Sequence, residues 1–268
     1  MSLRINTNVE AFNAHRQLEG TAMSLGRSME KLSSGLRINR AADDAAGLAI
    51  SEAMRAQVRG IAQATRNAQD GVAMVQTAEG ALNEMHSIIQ RIRELSVQWA
   101  NGSMSTSDQS KITAEVAQLT AELIRIRDSS IFNGISLFGS TLQTTVTLQI
   151  GANQNLDSAS NTNRLGVVLQ ALDFATISMD VASIDVALTS VSQARANLGA
   201  AQNRLEHVIA NLGVYQENLS AAESRIRDAD MAAEMTNYTK YQILQQSGTA
   251  MLAQANQAPQ AVLSLIKG

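Results

Sequence analysis

The stretch LSSGLRINRAADDAAGLAIS, Leu32 to Ser51, gathers Arg37, Arg40, Asp43 and Asp44 between Gly35 and Gly47 in an otherwise small, alanine-rich segment. Adjacent carboxylates beside guanidinium groups can do general acid–base work, hold an anion, or simply pair. Acid–base chemistry would need a nucleophile or a tuned base close by. The chain has no cysteine, and His15, His86 and His207 are scattered without metal-ligand spacing. The expectation is therefore a connector, with glycines allowing close approach and charges that pair within one copy of the chain or between copies. A solvated charged turn is the plainer alternative.

A second polar group sits in QRIRELSVQ. There Gln90, Arg91, Glu94, Leu95 and Gln98 share one side of a helix, off the seam through Ile89 and Ile92. Such a face is either solvated or packed against another copy. Nucleotide-binding loops of the GxxxxGK or GxGxxG kind do not occur, and a net charge of -3 without a basic stripe argues against nucleic acid. No cofactor and no metal are expected, and no enzyme activity. The eleven methionines fall largely on apolar seams, where they fill gaps between helices.

The elements that carry these residues are read from periodicity. Hydrophobic residues make up 45% of the chain but aromatics only 3%, and the single proline is Pro259. That composition suits long, closely packed helices. Apolar positions in steps of four and three run Leu18, Ala22, Leu25, Met29, Leu32, Leu36, then Val75, Ala78, Leu82, Met85, Ile89, Ile92, then Ile112, Val116, Leu119, Leu123, Ile126. A longer seam has an apolar residue every seventh place from Ile184 to Ile226, predicting a helix roughly 60 Å long. The last seam, Leu244, Met251, Ala258, Leu265, with Gly248, Ala255 and Val262 between them, runs almost to the C-terminus. Alternation at Val146, Leu148 and Ile150 predicts a half-exposed strand, and a second short strand around Val167 to Leu169 would close a small hairpin. The fold class expected is mainly α: a long antiparallel helical bundle or coiled coil with N- and C-termini paired, plus a small β-hairpin region.

The terminal seams are narrow, and their other faces are Asn, Gln, Ser, Thr and Ala rather than Glu/Lys pairs. Helices of that kind are weak alone and favour packing among many copies. No apolar run approaches a membrane span or a cleavable secretory signal, so membrane insertion is not expected. A chemoreceptor-like or adaptor signalling rod shares the heptads but would lack the hairpin.

Five segments carry a resemblance: EKLSSGLRINRAADDAAGLAIS (Glu30 to Ser51), NAQDGVAMVQTAEGALNEMHSIIQRIRELSVQ (Asn67 to Gln98), NLGAAQNRLEHVIANL (Asn197 to Leu212), NLSAAESRIRDADMAAEM (Asn218 to Met235) and QILQQSGTAMLAQANQAPQAVLSLI (Gln242 to Ile266). Together they resemble bacterial flagellin, in the short form without large outer variable domains. The resemblance implies a secreted, extracellular subunit of the flagellar filament that self-assembles by coupled folding of its ends and serves motility. It implies a terminal coiled-coil inner core at 1–43 and 229–268, disordered in the monomer. An outer helical rod domain would occupy 44–228, with the hairpin at about 140–170. Leu18, Leu25, Met29, Leu32, Leu36, Leu244, Met251, Val262 and Leu265 would form the filament core interface, and Arg37, Arg40, Asp43 and Asp44 the spoke between domains. Gln90, Arg91, Glu94, Leu95 and Gln98 would face neighbouring protomers and a host flagellin-sensing Toll-like receptor. An export chaperone would hold Ile243, Leu244, Met251, Leu252, Val262, Leu263, Leu265 and Ile266, and cap and hook-junction proteins would complete the partners.

Overall fold

The structure is a computed structural model that describes residues 7–139, 144–153, 163–174 and 177–267, with side chains placed through residue 257. Val262, Leu263, Leu265 and Ile266 thus have side chains outside the described set. Elements follow the order α1 (Val9–Ser34), α2 (Ala45–Trp99), α3 (Thr106–Ser129), β1 (Ile131–Phe132), β2 (Ile135–Ser136), β3 (Thr144–Gln149), β4 (Arg164–Leu169), α4 (Val181–Arg227) and α5 (Met231–Lys267). The fold is mainly α, as the periodicity predicts, with two small antiparallel hairpins among the described residues where one was expected. Two compact units arise, a terminal unit of Met1–Arg55 with Leu219–Gly268 and a middle unit of Ala56–Asn218.

In the middle unit the inner seams close on one another. Val75, Ala78, Leu82, Met85, Ile89 and Ile92 of α2 are fully or almost fully buried, with Ile112, Val116 and Leu123 of α3 and Ile184, Val191, Leu198 and Leu205 of α4. A fixed seven-residue repeat keeps one stripe inward along such long helices. Ser105 starts α3 by accepting the Asp108 N–H with its hydroxyl at 3.2 Å. Strands β3 and β4 pair antiparallel from Thr144–Leu169 to Gln149–Arg164. Leu165, Val167 and Leu169 point into the core. The Asn67 side-chain amide donates to the Gln149 carbonyl at 2.9 Å, tying hairpin to α2. Gly71 gives Leu148 and Leu205 the room a Cβ would fill.

A second hairpin, β1–β2, appears where the sequence suggests only the end of a helix. Its turn is Asn133-Gly134, both at positive φ (48° and 79°). An Asn-Gly pair flanked by apolar residues is a strong tight-turn signal, and here it lies in SSIFNGIS.

In the terminal unit α1 packs antiparallel on α5. Leu18, Leu25 and Leu32 are half-buried on the seam side, and Leu18 Cδ1 lies 3.1 Å from where a Cβ on Gly248 would sit. Asn8 caps α1 by accepting the Ala11 N–H at 3.0 Å. Its amide also donates to the Ala255 carbonyl at 2.8 Å. Ala255 is four residues before Pro259, whose ring nitrogen has no hydrogen to donate back. One asparagine thus starts α1 and fills the hydrogen bond that proline removes from α5, and α5 continues past Pro259 to Lys267.

Two seam assignments shift here. Met29 is exposed, as are Leu244 and Met251, while Gly248, Leu252 and Ala255 take the partly buried positions. Leu36 lies beyond the end of α1 and forms a bridge with Asp228. Of the two rows in each seam, pairing buries the one with Leu18, Leu25 and Leu32 on α1 and the one with Gly248 and Ala255 on α5, leucines meeting small residues so that the backbones approach closely.

Candidate functional site

The charged connector begins where α1 stops. Gly35 sits in the left-handed conformation at φ 71° and its N–H returns to the Lys31 carbonyl at 2.8 Å, a cap that only glycine adopts without strain. The chain then runs beside the α4–α5 junction. The Arg37 N–H donates to the Arg227 carbonyl at 2.7 Å and the Ala229 N–H to the Gly35 carbonyl at 2.9 Å. The Arg37 guanidinium donates twice to the Ile226 carbonyl, at 2.6 and 3.2 Å. It thereby satisfies a carbonyl in the last turn of α4, where a cation also suits the helix dipole.

The other charges are equally committed. Arg40 pairs with Glu30 through two contacts of 2.9 and 3.0 Å. Asp43 Oδ2 accepts the N–H groups of Arg40 (3.0 Å) and Asn39 (3.2 Å). The Arg40 N–H holds the Asp43 carboxyl below its ordinary range against the opposing effect of burial, aided by the N–H of Asn39 and the charges of Lys31 and Arg27. Asp44 starts α2: its carbonyl accepts the Leu48 N–H at 3.0 Å and its Oδ1 the Gly47 N–H at 2.8 Å. Gly47 is required there, since a Cβ would run into the Asp44 carboxylate and come within 2.9 Å of buried Ile38. Asp230 does the same for α5, its Oδ1 accepting from Ala232 and Ala233 at 2.9 and 3.1 Å. Arg55 of α2 reaches Glu223 of α4 at 2.6 Å. All four expected connector residues are engaged within the chain, as caps and clamps.

Sequence reasoning missed Asn8, Glu30 and Asp230. Asn8 and Asp230 carry a legible signal, a capping residue immediately before or one place before a long helical pattern. Glu30 carries none, because its partner Arg40 lies beyond a turn whose path only the fold decides.

On α2, Gln90, Arg91, Glu94 and Gln98 are exposed together. Arg91 bridges Glu94 on its own helix (3.4 Å) and Glu115 on α3 (3.1 Å). Glu115 first and Glu94 second raise its already high pKa. Leu95 departs from this group: at 2% exposure it belongs to the core with Ile92. It stands three residues after Ile92, so it prolongs the buried stripe rather than the polar face. Beside the polar face, Arg93 holds Asp185 of α4 at 2.8 Å.

The terminal unit has a different surface. Val9, Phe12, Met23 and Met29 on α1, and Met231, Met235, Ile243, Leu244 and Met251 on α5, are all exposed. Large apolar side chains left exposed in this number on two paired helices suit surfaces that associate with other copies. No helix among the described residues is long and apolar enough to cross a membrane, and no cluster of potential metal ligands occurs among them.

Comparison with known proteins agrees with this architecture. The bacterial flagellin N-terminal helical region matches residues 5–144, and the bacterial flagellin C-terminal helical region residues 181–266. A flagellin of Halalkalibacterium halodurans is 52% identical, covering 98% of this chain and 99% of its own. The flagellar filament 33 kDa core protein of Treponema phagedenis is 49% identical over 98% of this chain and 99% of its own. The flagellin of Bacillus subtilis is 45% identical over 99% of this chain and the whole of its own. With both helical regions matched in order and relatives aligned from end to end, the chain belongs to the bacterial flagellin family.

Proposed function

We propose that this chain is a structural subunit of the bacterial flagellar filament, exported from the cell and polymerised with copies of itself for motility. The observation that carries the reading is the terminal unit, whose α1 and α5 leave Phe12, Met23, Leu244 and Met251 uncovered in the single chain. A homopolymer covers these side chains, and at about 25 cal/mol per Å² their burial favours assembly over the cost of ordering the ends. Residues 1–43 and 229–268 form the inner core and 44–228 the outer helical rod, with Arg37, Arg40, Asp43 and Asp44 in the spoke. The terminal helices complete their packing only on assembly, which leaves a soluble subunit free to pass through a narrow export route.

The same reading supplies the remaining partners. An export chaperone shields the C-terminal segment around Ile243, Leu244, Met251 and Leu252 before assembly, since exposed apolar helix is an aggregation hazard. Cap and hook-junction proteins adjoin the filament ends. The exposed set Gln90, Arg91, Glu94 and Gln98, braced by Glu115, faces neighbouring subunits and, in a host, a flagellin-sensing Toll-like receptor. A signalling rod has no observation in its favour.

The test is sedimentation with negative-stain microscopy of the full chain, seeded with short filament fragments, beside a version lacking residues 1–40 and 230–268. Long filaments from the intact chain and soluble, helical monomer from the truncated one are expected. A full chain that stays a small oligomer, with both ends resistant to protease, overturns the reading.

A further inference from the structure

Among the described residues the exposed methionines are confined to the terminal unit, although Met54, also in that unit, is half-buried. Met23, Met29, Met231, Met235 and Met251 are each 46–62% exposed, and all five lie in the terminal unit. Met74 and Met85 of the middle unit are 2% and 0% exposed, and Met104 and Met179 are half-buried. Among the described residues, therefore, the readily reached thioethers coincide with the apolar surface of α1 and α5. Leucine would supply the same bulk at these places without an oxidisable sulfur.

We propose that this surface is an oxidation site. Hydrogen peroxide would convert its exposed methionines to sulfoxides and so withdraw the subunit from assembly, an inference that rests on the filament reading above. In the reaction the thioether sulfur attacks a peroxide oxygen. An S–O bond forms as the O–O bond breaks, the departing hydroxide takes the proton, and water leaves. The sulfur loses two electrons and the peroxide gains them. The product is a polar, chiral group where an apolar flexible one stood. Its S=O must be desolvated when copies pack together, and around Met251 the residues one turn away, Ser247, Gly248, Gln254 and Ala255, carry no charge to receive it. Covered sulfurs react slowly, so the exposed subunit is the sensitive form and the packed one is protected. Methionine sulfoxide is reducible enzymatically, which makes the block reversible.

The experiment treats the full-length chain with hydrogen peroxide, maps sulfoxides by peptide mass spectrometry, and follows elongation on filament seeds. Met23, Met29, Met231, Met235 and Met251 are expected to oxidise well before Met74 and Met85. Elongation should fall by about tenfold or more, the effect of a little over one unit of RT ln 10 per subunit, and return after treatment with the paired methionine sulfoxide reductases. A chain carrying Met23→Leu, Met29→Leu, Met231→Leu, Met235→Leu and Met251→Leu should elongate equally before and after peroxide. Normal elongation by a chain oxidised at all five positions overturns the inference and leaves the filament reading standing. So does equal peroxide damage in the five-leucine chain. If that variant does not fold, reductase rescue of the parent decides: no recovery, with the sulfoxides shown to be reduced, overturns the inference. Untreated chain that fails to elongate overturns the filament reading and the inference with it.

Discussion

Asp43 and Asp44 are neighbours with separate duties, and each duty has a measurable sign. Asp43 binds the N–H groups of Asn39 and Arg40 as a carboxylate, and its pKa lies below the ordinary value. An unfolded aspartate titrates near about 3.9. The contribution is therefore complete above that pH and is lost as pH falls through the lower folded value. Asp43→Asn should keep an acceptor oxygen yet abolish this part of the acid dependence, read from amide exchange at Arg40 between about pH 5 and pH 2. Asp44 is a helix start: Asp44→Ala should cost about 0.5–2 kcal/mol in thermal unfolding and Asp44→Asn almost nothing, because asparagine caps about as well. Equal losses from both variants would show that charge, not the Gly47 hydrogen bond, matters there.

Among the elements, α5 is the one whose sequence argues against its own continuity. Pro259 removes a backbone donor, and Asn8 of α1 supplies a replacement to Ala255. The two residues should be coupled. Asn8→Asp retains the α1 cap but replaces the donor with an acceptor, so protection of the last turns of α5 should fall while the first turn of α1 holds. In a double-mutant cycle, Asn8→Ala should cost less once Pro259→Ala restores an N–H for Ala255, with a coupling of about 0.5–1.5 kcal/mol. Hydrogen exchange at the ends of α1 and α5 reads both outcomes.

At the scale of the whole molecule, folding and assembly draw on different apolar residues. Leu82 is fully buried in the middle unit and Leu244 is 45% exposed in the terminal unit. Leu82→Ala should destabilise the monomer by about 2–5 kcal/mol through the cavity it leaves. Leu244→Ala should move monomer stability by no more than about 0.5 kcal/mol and instead raise the critical concentration for filament growth. Unfolding curves and seeded polymerisation on the same two variants separate the effects.

Much of this was legible in the residues because heptad spacing, near-absence of proline and the low aromatic content leave long helices as the consistent answer. The buried stripe from Val75 to Ile92 and the stripe from Ile184 to Leu205 could be read directly, since one strong apolar row per helix leaves only one face to bury. The alternation at Val146, Leu148 and Ile150 marked the first strand of the hairpin that pairs with Arg164–Leu169. On α1 and α5 the seam is a single stripe of alternating four and three steps, and spacing cannot say which half of it a single partner helix buries. Only pairing of the two helices placed Gly248 and Ala255 toward α1 and left Met29, Leu244 and Met251 outside. The connector shows the same limit. Its charges were visible in the sequence, but the use of Arg37 and Arg40 as clamps depends on the Ile226 carbonyl and the Glu30 carboxylate. Hydrogen bonds between residues far apart in the chain have no period to read, and the tertiary fold alone brings them within reach.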